Sequence, residues 1–280
     1  MTAPAPVPAA ASMAPAKQRG HEPKAAAKGN LAISLASVVL GVVVWQAAAL
    51  LINDKVLLPT PVSTAAVLIR YLQSPYPANG ETLIGHALVS LGRVLGGFAI
   101  GSVIGIGIGA LMAGFRGFRA MVDPFIEITR PLPPLAFVPV LIVWFGIGEA
   151  PKIILIAAGV VPVMAISTAA GLAGVPQEML NAARCLGASD WYTMLHVRIR
   201  AAVPQIITGM RLSVGLSWTS IVAVEMIAAT SGLGFVILQA GQFLNTDLIF
   251  AGILVIAILG LGIDAGLRRL QRHLDPTMRP

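Results

Sequence analysis

Long uncharged apolar runs, rather than an alternation of apolar and polar positions, set the pattern of this chain. The first extends from Leu31 to Ile52 and the second from Val94 to Phe115. A third, Pro131 to Gly148, is shorter and interrupted by prolines, and a fourth covers Ile153 to Gln177. The fifth is divided: Leu212 to Val224 is apolar, Glu225 interrupts, and the chain then stays uncharged from Met226 to Thr246. The last run is Leu248 to Ile263. A helix rises about 1.5 Å per residue and the hydrocarbon core of a bilayer is about 30 Å thick, so about 20 apolar residues cross it. The pattern therefore predicts an all-α integral membrane protein with about six transmembrane helices, residues 30–280 forming the transmembrane domain. Residues 1–29 are rich in Ala and Pro with little to bury, and read as a disordered tail. The apolar residues of that tail precede its positive charges, which is not the order of a cleavable signal peptide.

Composition agrees, with 56% hydrophobic and only 11% charged residues against about a quarter charged in soluble domains. Charge adds orientation, because cytoplasmic loops retain Lys and Arg. With the N-terminus inside, 14 of the 19 basic residues fall on inside segments: Lys17, Arg19, Lys24 and Lys28; Arg116, Arg119 and Arg130; Arg184, Arg198 and Arg200; Arg268, Arg269, Arg272 and Arg279. Lys55, Arg70 and Lys152 fall outside, while Arg93 and Arg211 lie at or within helices. Both termini are expected in the cytoplasm. The net charge of +7 is then a topological signal, and no nucleic-acid partner is expected.

Some chemistry is missing. A P-loop needs Gly-Lys-Ser/Thr, and none of the lysines follows a glycine. Any ATP used, with its magnesium, is therefore expected on another chain, and no cofactor on this one. His21, His86, His196 and His273 lack metal-ligand spacing, and the single Cys185 excludes an internal disulfide.

Four features suggest how the helices are used. Gly97, Gly101, Gly105 and Gly109 recur every fourth residue, giving a smooth face for close helix packing in lipid. Pro131, Pro133, Pro134 and Pro139 remove backbone donors and are expected to bend or delay the third span, and a broken helix at membrane depth needs cover from protein or an aqueous cavity. Ser213, Ser217 and Ser220 share one helix face; they either line a passage for a polar solute or bond their own upstream carbonyls. Glu225 either faces a cavity or partner or sits at the outer headgroups. Of the aromatic residues, Trp144, Phe145 and Trp218 offer rings to a cationic group or serve as packing and interfacial anchors.

The stretch from Glu178 to Pro204 reads as helix, sharp turn, helix on the cytoplasmic side. Glu178 to Leu186 favours helix, Gly187 suits a left-handed terminator, and Ser189-Asp190 suits a cap and first turn. Met179, Ala182, Ala183 and Leu186 gather on one side, an apolar face that fits either a groove on another protein or the lipid headgroup layer.

Asn181-Ala182-Ala183, followed by Gly187, Val197, Ile199 and Pro204, resembles the EAA loop of bacterial ABC importer permeases. Asn181 stands where that pattern has Glu, and Arg200 where it has its first proline. Over roughly 59–276 the chain is similar to the branch importing sulfonates, taurine, nitrate and related small anions, nearest to taurine importer permeases. The segments carrying this are Arg130-Pro-Leu-Pro-Pro-Leu-Ala-Phe, Val143-Trp-Phe-Gly-Ile-Gly-Glu149, Val222-Ala-Val-Glu225-Met-Ile-Ala-Ala, Gly232-Leu-Gly-Phe235 and Ala240-Gly-Gln-Phe. The resemblance implies a type I importer bundle in the bacterial cytoplasmic membrane and a non-enzymatic permease. It also implies a second permease copy, two ATPase subunits and an extracytoplasmic binding protein. Glu178, Asn181, Ala182, Ala183, Leu186, Gly187 and Pro204 would then form the ATPase-coupling loop, and Pro139, Ser213, Ser217, Ser220 and Glu225 the candidate translocation path. Taurine is the expected cargo, with alkanesulfonate, nitrate or bicarbonate as alternatives. An ion-coupled secondary transporter or a membrane scaffold are the competing classes, although the chain shows no convincing inverted repeat of the kind common in the former.

Overall fold

The structure is a computed structural model that describes residues 25–77, 80–129 and 131–274. Its described regular elements are helices: α1 (Ala25–Ile52), α2 (Pro61–Gln73), α3 (Leu83–Gly114), α4 (Arg116–Thr129), α5 (Val138–Phe145), α6 (Glu149–Ala173), α7 (Gln177–Cys185), α8 (Asp190–Tyr192), α9 (Ile199–Ala228), α10 (Leu233–Gln242) and α11 (Thr246–Leu274). A 3-10 turn, Pro134–Phe137, precedes α5, and a π-helical segment, Thr193–Arg198, joins α8 to α9. Most of the expected disordered tail lies outside the described residues, and helix begins at Ala25, inside the stretch expected to be tail.

The chain divides into two units, the first ending at Ala47. In that unit α1 stands as an apolar rod, with Ile33, Leu35, Val38, Val39 and Leu40 exposed, as suits lipid contact. The second unit is a bundle built on α3, α6, α9 and α11. In α3 and α6 the glycine ladder meets its partners in step. A Cβ on Gly97, Gly101, Gly105 or Gly109 would lie 2.5–2.7 Å from side-chain atoms of Ile156, Val160, Met164 and Thr168 respectively. Both numbers rise together, so α3 and α6 run parallel at near backbone contact. No side chain larger than hydrogen fits there, and dispersion over this face holds the two helices together in lipid.

On its other side α6 meets α9 antiparallel: Gly171 faces Ala202 and Gln205, and Gly209 faces Ser167. α11 returns beside α9, with Gly260 against the Trp218 ring and Asp264 beside Arg211. The core these helices share includes Leu155, Ile156, Val160, Met164, Ile221 and Leu248, all fully buried.

Since α3 and α6 are parallel, the segment between them must carry the chain back from the end of α3 to the start of α6. It does so as α4 followed by Pro134–Phe145, a helix pair bent by 92°. Among the described residues five helices are long and apolar enough to cross a membrane, or six if this bent pair is one span. The single span expected over 131–148 is thus corrected: the stretch belongs to a bent helix pair that starts at Arg116. Pro139 does not interrupt a helix; it occupies the first turn of α5, where a missing N–H costs nothing and the fixed φ favours helix. The fifth span is also corrected. α9 stops at Ala228, and the uncharged stretch after it is a turn and the short helix α10 rather than a continuation.

Candidate functional site

At the end of the bundle where α6 finishes and α9 begins, the chain forms a compact projection. α7 ends as the pattern predicts: Gly187 has φ +82°, and the N–H groups of Leu186, Gly187 and Ala188 return to Ala182, Arg184 and Ala183 carbonyls. Ser189 then caps the next turn, its Oγ accepting the Tyr192 N–H at 3.2 Å. Leu180, 3% exposed, anchors α7, while Met179, Ala182 and Leu186 face outward. Ala183 is half-buried, and Glu178 and Asn181 are exposed beside them. Trp191, Tyr192 and Leu195 extend the exposed apolar surface across the turn, residues that the sequence pattern did not single out although their types carried the signal. The π-helical segment continues into α9 without a break in helical dihedrals, and Pro204 lies within α9.

The other end of the bundle holds a buried ionic cluster. Glu225, on α9, is fully buried and at bonding distance from Arg93 of α3. Arg93 Nη1 donates to Glu225 Oε1 at 2.7 Å and to the Ser231 carbonyl at 2.7 Å, while Nε and Nη2 grip the Glu149 carboxylate at 2.6 and 2.7 Å. Lys152 Nζ donates to Glu149 Oε1 at 2.8 Å. The two cations balance the two carboxylates; Arg93, Lys152 and Glu225 are buried, while the Glu149 side chain is 57% exposed. Ser90 Oγ donates to Glu225 and accepts the Leu233 N–H at 2.8 Å, and the Gly234 N–H donates to Glu225 Oε2 at 2.9 Å. The Gly232 N–H donates to His86 Nδ1 at 3.0 Å. This assigns the ring proton to Nε2, which faces the Tyr76 carbonyl at 2.9 Å. His86, Ser90 and Arg93 thus present one face of α3 to the main chain of the α9–α10 turn. Gly232 turns there with φ +117°, and a Cβ at that position would collide with the Glu225 carboxylate.

Glu225 therefore has a protein partner. It is not alone as a carboxylate in the spans, since Glu149 shares its cation and Asp264 pairs with Arg211 from α11. The serines divide differently from the translocation-path reading. Ser213 and Ser217 are buried and donate to the Gly209 and Ser213 carbonyls at 2.9 and 2.8 Å, and Ser220 is also buried. Trp218 is buried against Gly260, whereas Trp144 and Phe145 are exposed.

Two cavities accompany these groups. One of about 690 Å³ lies beside the cluster, lined by Pro77, Gly80, Glu81, His86, Thr230, Ser231 and Phe235. Another of about 680 Å³ is mainly apolar and separates the bent pair from α6 and α9; Leu132, Pro134 and Phe137 face Pro162, Ile166, Leu212 and Leu216 across it. Neither Pro139 nor the serine stripe lines this second cavity.

Residues 101–280 match the family described as binding-protein-dependent transport system inner membrane component. The chain is 40% identical to the taurine transport system permease protein TauC of Escherichia coli, over 88% of this chain and 89% of that one. It is 35% identical to the putative aliphatic sulfonates transport permease protein SsuC of Bacillus subtilis, over 83% of each. It is also 32% identical to the bicarbonate transport system permease protein CmpB of Synechococcus elongatus, over 89% and 91%. Among solved structures, an inward-facing MetNI methionine ABC transporter matches with a TM-score of 0.51 and 22% identity, covering 66% of this chain and 95% of that one.

Proposed function

The chain belongs to the binding-protein-dependent transport system inner membrane components, and from that membership we propose that it carries taurine across the cytoplasmic membrane. As an ABC importer permease subunit it is not an enzyme; ATP is hydrolysed by a partner ATPase, and a substrate-binding protein supplies the cargo. The taurine relative supports this cargo, with an alkanesulfonate or bicarbonate as the alternatives that the sulfonate and bicarbonate relatives suggest. The working assembly is two permease copies above two ATPase subunits.

The observation that carries the coupling role is the apolar surface of Met179, Ala182, Leu186, Trp191 and Tyr192, held on a projection that runs directly into α9. An exposed short helix with an apolar face fits a groove on a partner. Closure of two ATPase subunits draws the two projections together, and the continuous π-to-α helix delivers that motion to α9, hence to the wall of the apolar cavity. The projection faces the cytoplasm, together with the basic end of α11. Arg184, Arg198, Arg268, Arg269 and Arg272 lie at that end, where the positive-inside bias puts them.

Competition measures the cargo. In vesicles holding the assembled transporter, unlabelled taurine in excess suppresses uptake of labelled taurine, whereas the same excess of bicarbonate leaves it near the uninhibited rate. Equal suppression by bicarbonate or by a longer alkanesulfonate would reassign the cargo without touching the permease role.

A further inference from the structure

One charged group in the spans takes no part in the coupling projection or the cluster around Glu225. Asp264 of α11 accepts from Arg211 Nε of α9 at 2.7 Å and from Arg268 Nη1, one turn further along α11. One carboxylate so faces two guanidiniums, leaving an excess positive charge. Each guanidinium has five N–H donors in a rigid fork, of which a single carboxylate oxygen uses a small part. The side chains are 35%, 24% and 42% exposed for Arg211, Asp264 and Arg268, so the group opens to the surface.

Its depth is defined by the sequence around it. Leu248 to Ile263 is uncharged, and Asp264 is the first charged residue after it. Sixteen residues of helix span about 24 Å, close to the hydrocarbon thickness, so the group lies at the membrane boundary. Arg272, one more turn along the same face of α11 and exposed, continues the positive stripe away from the lipid. On α11, Leu261 and Ile258, in the two turns before Asp264, are exposed apolar residues. Guanidiniums above, apolar side chains below and a junction between two helices together form a seat for an oxyanion attached to an acyl chain.

We propose that Arg211, Arg268 and Arg272 bind the phosphate of an anionic phospholipid, with Asp264 holding the first two guanidiniums apart and oriented. A phosphate oxyanion matches the guanidinium fork bidentately. The shared chemistry with a free phosphate or a sulfonate is that oxyanion; the apolar surface beneath assigns it to lipid. The site depends on neither the taurine nor the coupling reading, so failure of either leaves it testable.

The test is lipid retention by the detergent-purified transporter, measured by native mass spectrometry after exchange into phosphatidylglycerol or phosphatidylcholine. Phosphatidylglycerol is retained over phosphatidylcholine, and Arg211→Gln and Arg268→Gln each lower its retention about fivefold, the effect of one arginine near an anionic surface. Arg119→Gln, which removes a more exposed arginine paired with Asp123 on α4, leaves retention unchanged. Far-ultraviolet circular dichroism and size exclusion confirm that each variant stays folded. Wild-type retention in Arg211→Gln, or an equal loss in Arg119→Gln, overturns the site. Displacement of the lipid by inorganic phosphate alone overturns its assignment to lipid.

Discussion

Arg93→Ala lowers the stability of the detergent-solubilised protein by about 3–5 kcal/mol, the usual consequence of removing one partner from a buried ion pair. Glu225 is left fully buried with no cation, and Glu149 keeps only Lys152. The turn at Ser231 loses two bonds at the same stroke. A companion variant separates charge from packing. Glu225→Gln removes the carboxylate charge but keeps a carbonyl for Ser90 and the Gly234 N–H, so Arg93→Ala combined with Glu225→Gln recovers part of the loss. Thermal unfolding in detergent reads both. A double variant as unstable as the sum of its single changes would mean that Arg93 acts through bulk rather than through its charge on Glu225.

Gly187→Val lowers cargo uptake about tenfold or more while leaving the protein inserted and folded. Nothing lies within 4 Å of a Cβ at Gly187, so the damage comes from backbone conformation rather than collision. A side-chain-bearing residue at φ +82° costs roughly 1–2 kcal/mol, more for a β-branched one. The turn relaxes by moving α7 relative to Tyr192 and the root of α9, which misaligns the docking face. Uptake falls about tenfold or more, in line with a loss of somewhat over 1 kcal/mol of docking energy. ATP hydrolysis no longer responds to the loaded binding protein, and cargo binding by that separate protein is unchanged. Wild-type uptake in Gly187→Val would remove this projection from the coupling path.

The sequence made the spans legible because lipid demands unbroken apolar stretches and leaves no other reading for runs such as Ile153 to Gln177. The ladder from Gly97 to Gly109 was equally readable, since its partners on α6 recur with the same step of four. What a helical repeat cannot report is a partner far away in sequence. Arg93 and Glu225 are 132 residues apart, and no local period links them. The available signal was the rule that ionisable groups inside spans need counter-charges; applied to Arg93, Glu149, Glu225, Arg211 and Asp264 it calls for partners without saying which. The serine stripe left two readings open for a related reason, and Ser213 and Ser217 bond their own upstream carbonyls. Periodicity put Ser213, Ser217 and Ser220 on one face, but only packing decides which face is buried, and it is this one. The prolines announced a break without its direction; the return from α3 to a parallel α6 forces a crossing, and the 92° bend follows from where helix can restart after Pro133.

Passage of cargo through this chain is controlled by ATP hydrolysed elsewhere. The direct measurement is labelled taurine uptake into vesicles containing the chain with its ATPase and binding protein, with ATP supplied on the ATPase side. Uptake should require ATP and the binding protein together, and should persist when ionophores collapse every ion gradient. Uptake without ATP that stops when a proton or sodium gradient is collapsed would contradict the account and identify an ion-coupled transporter instead.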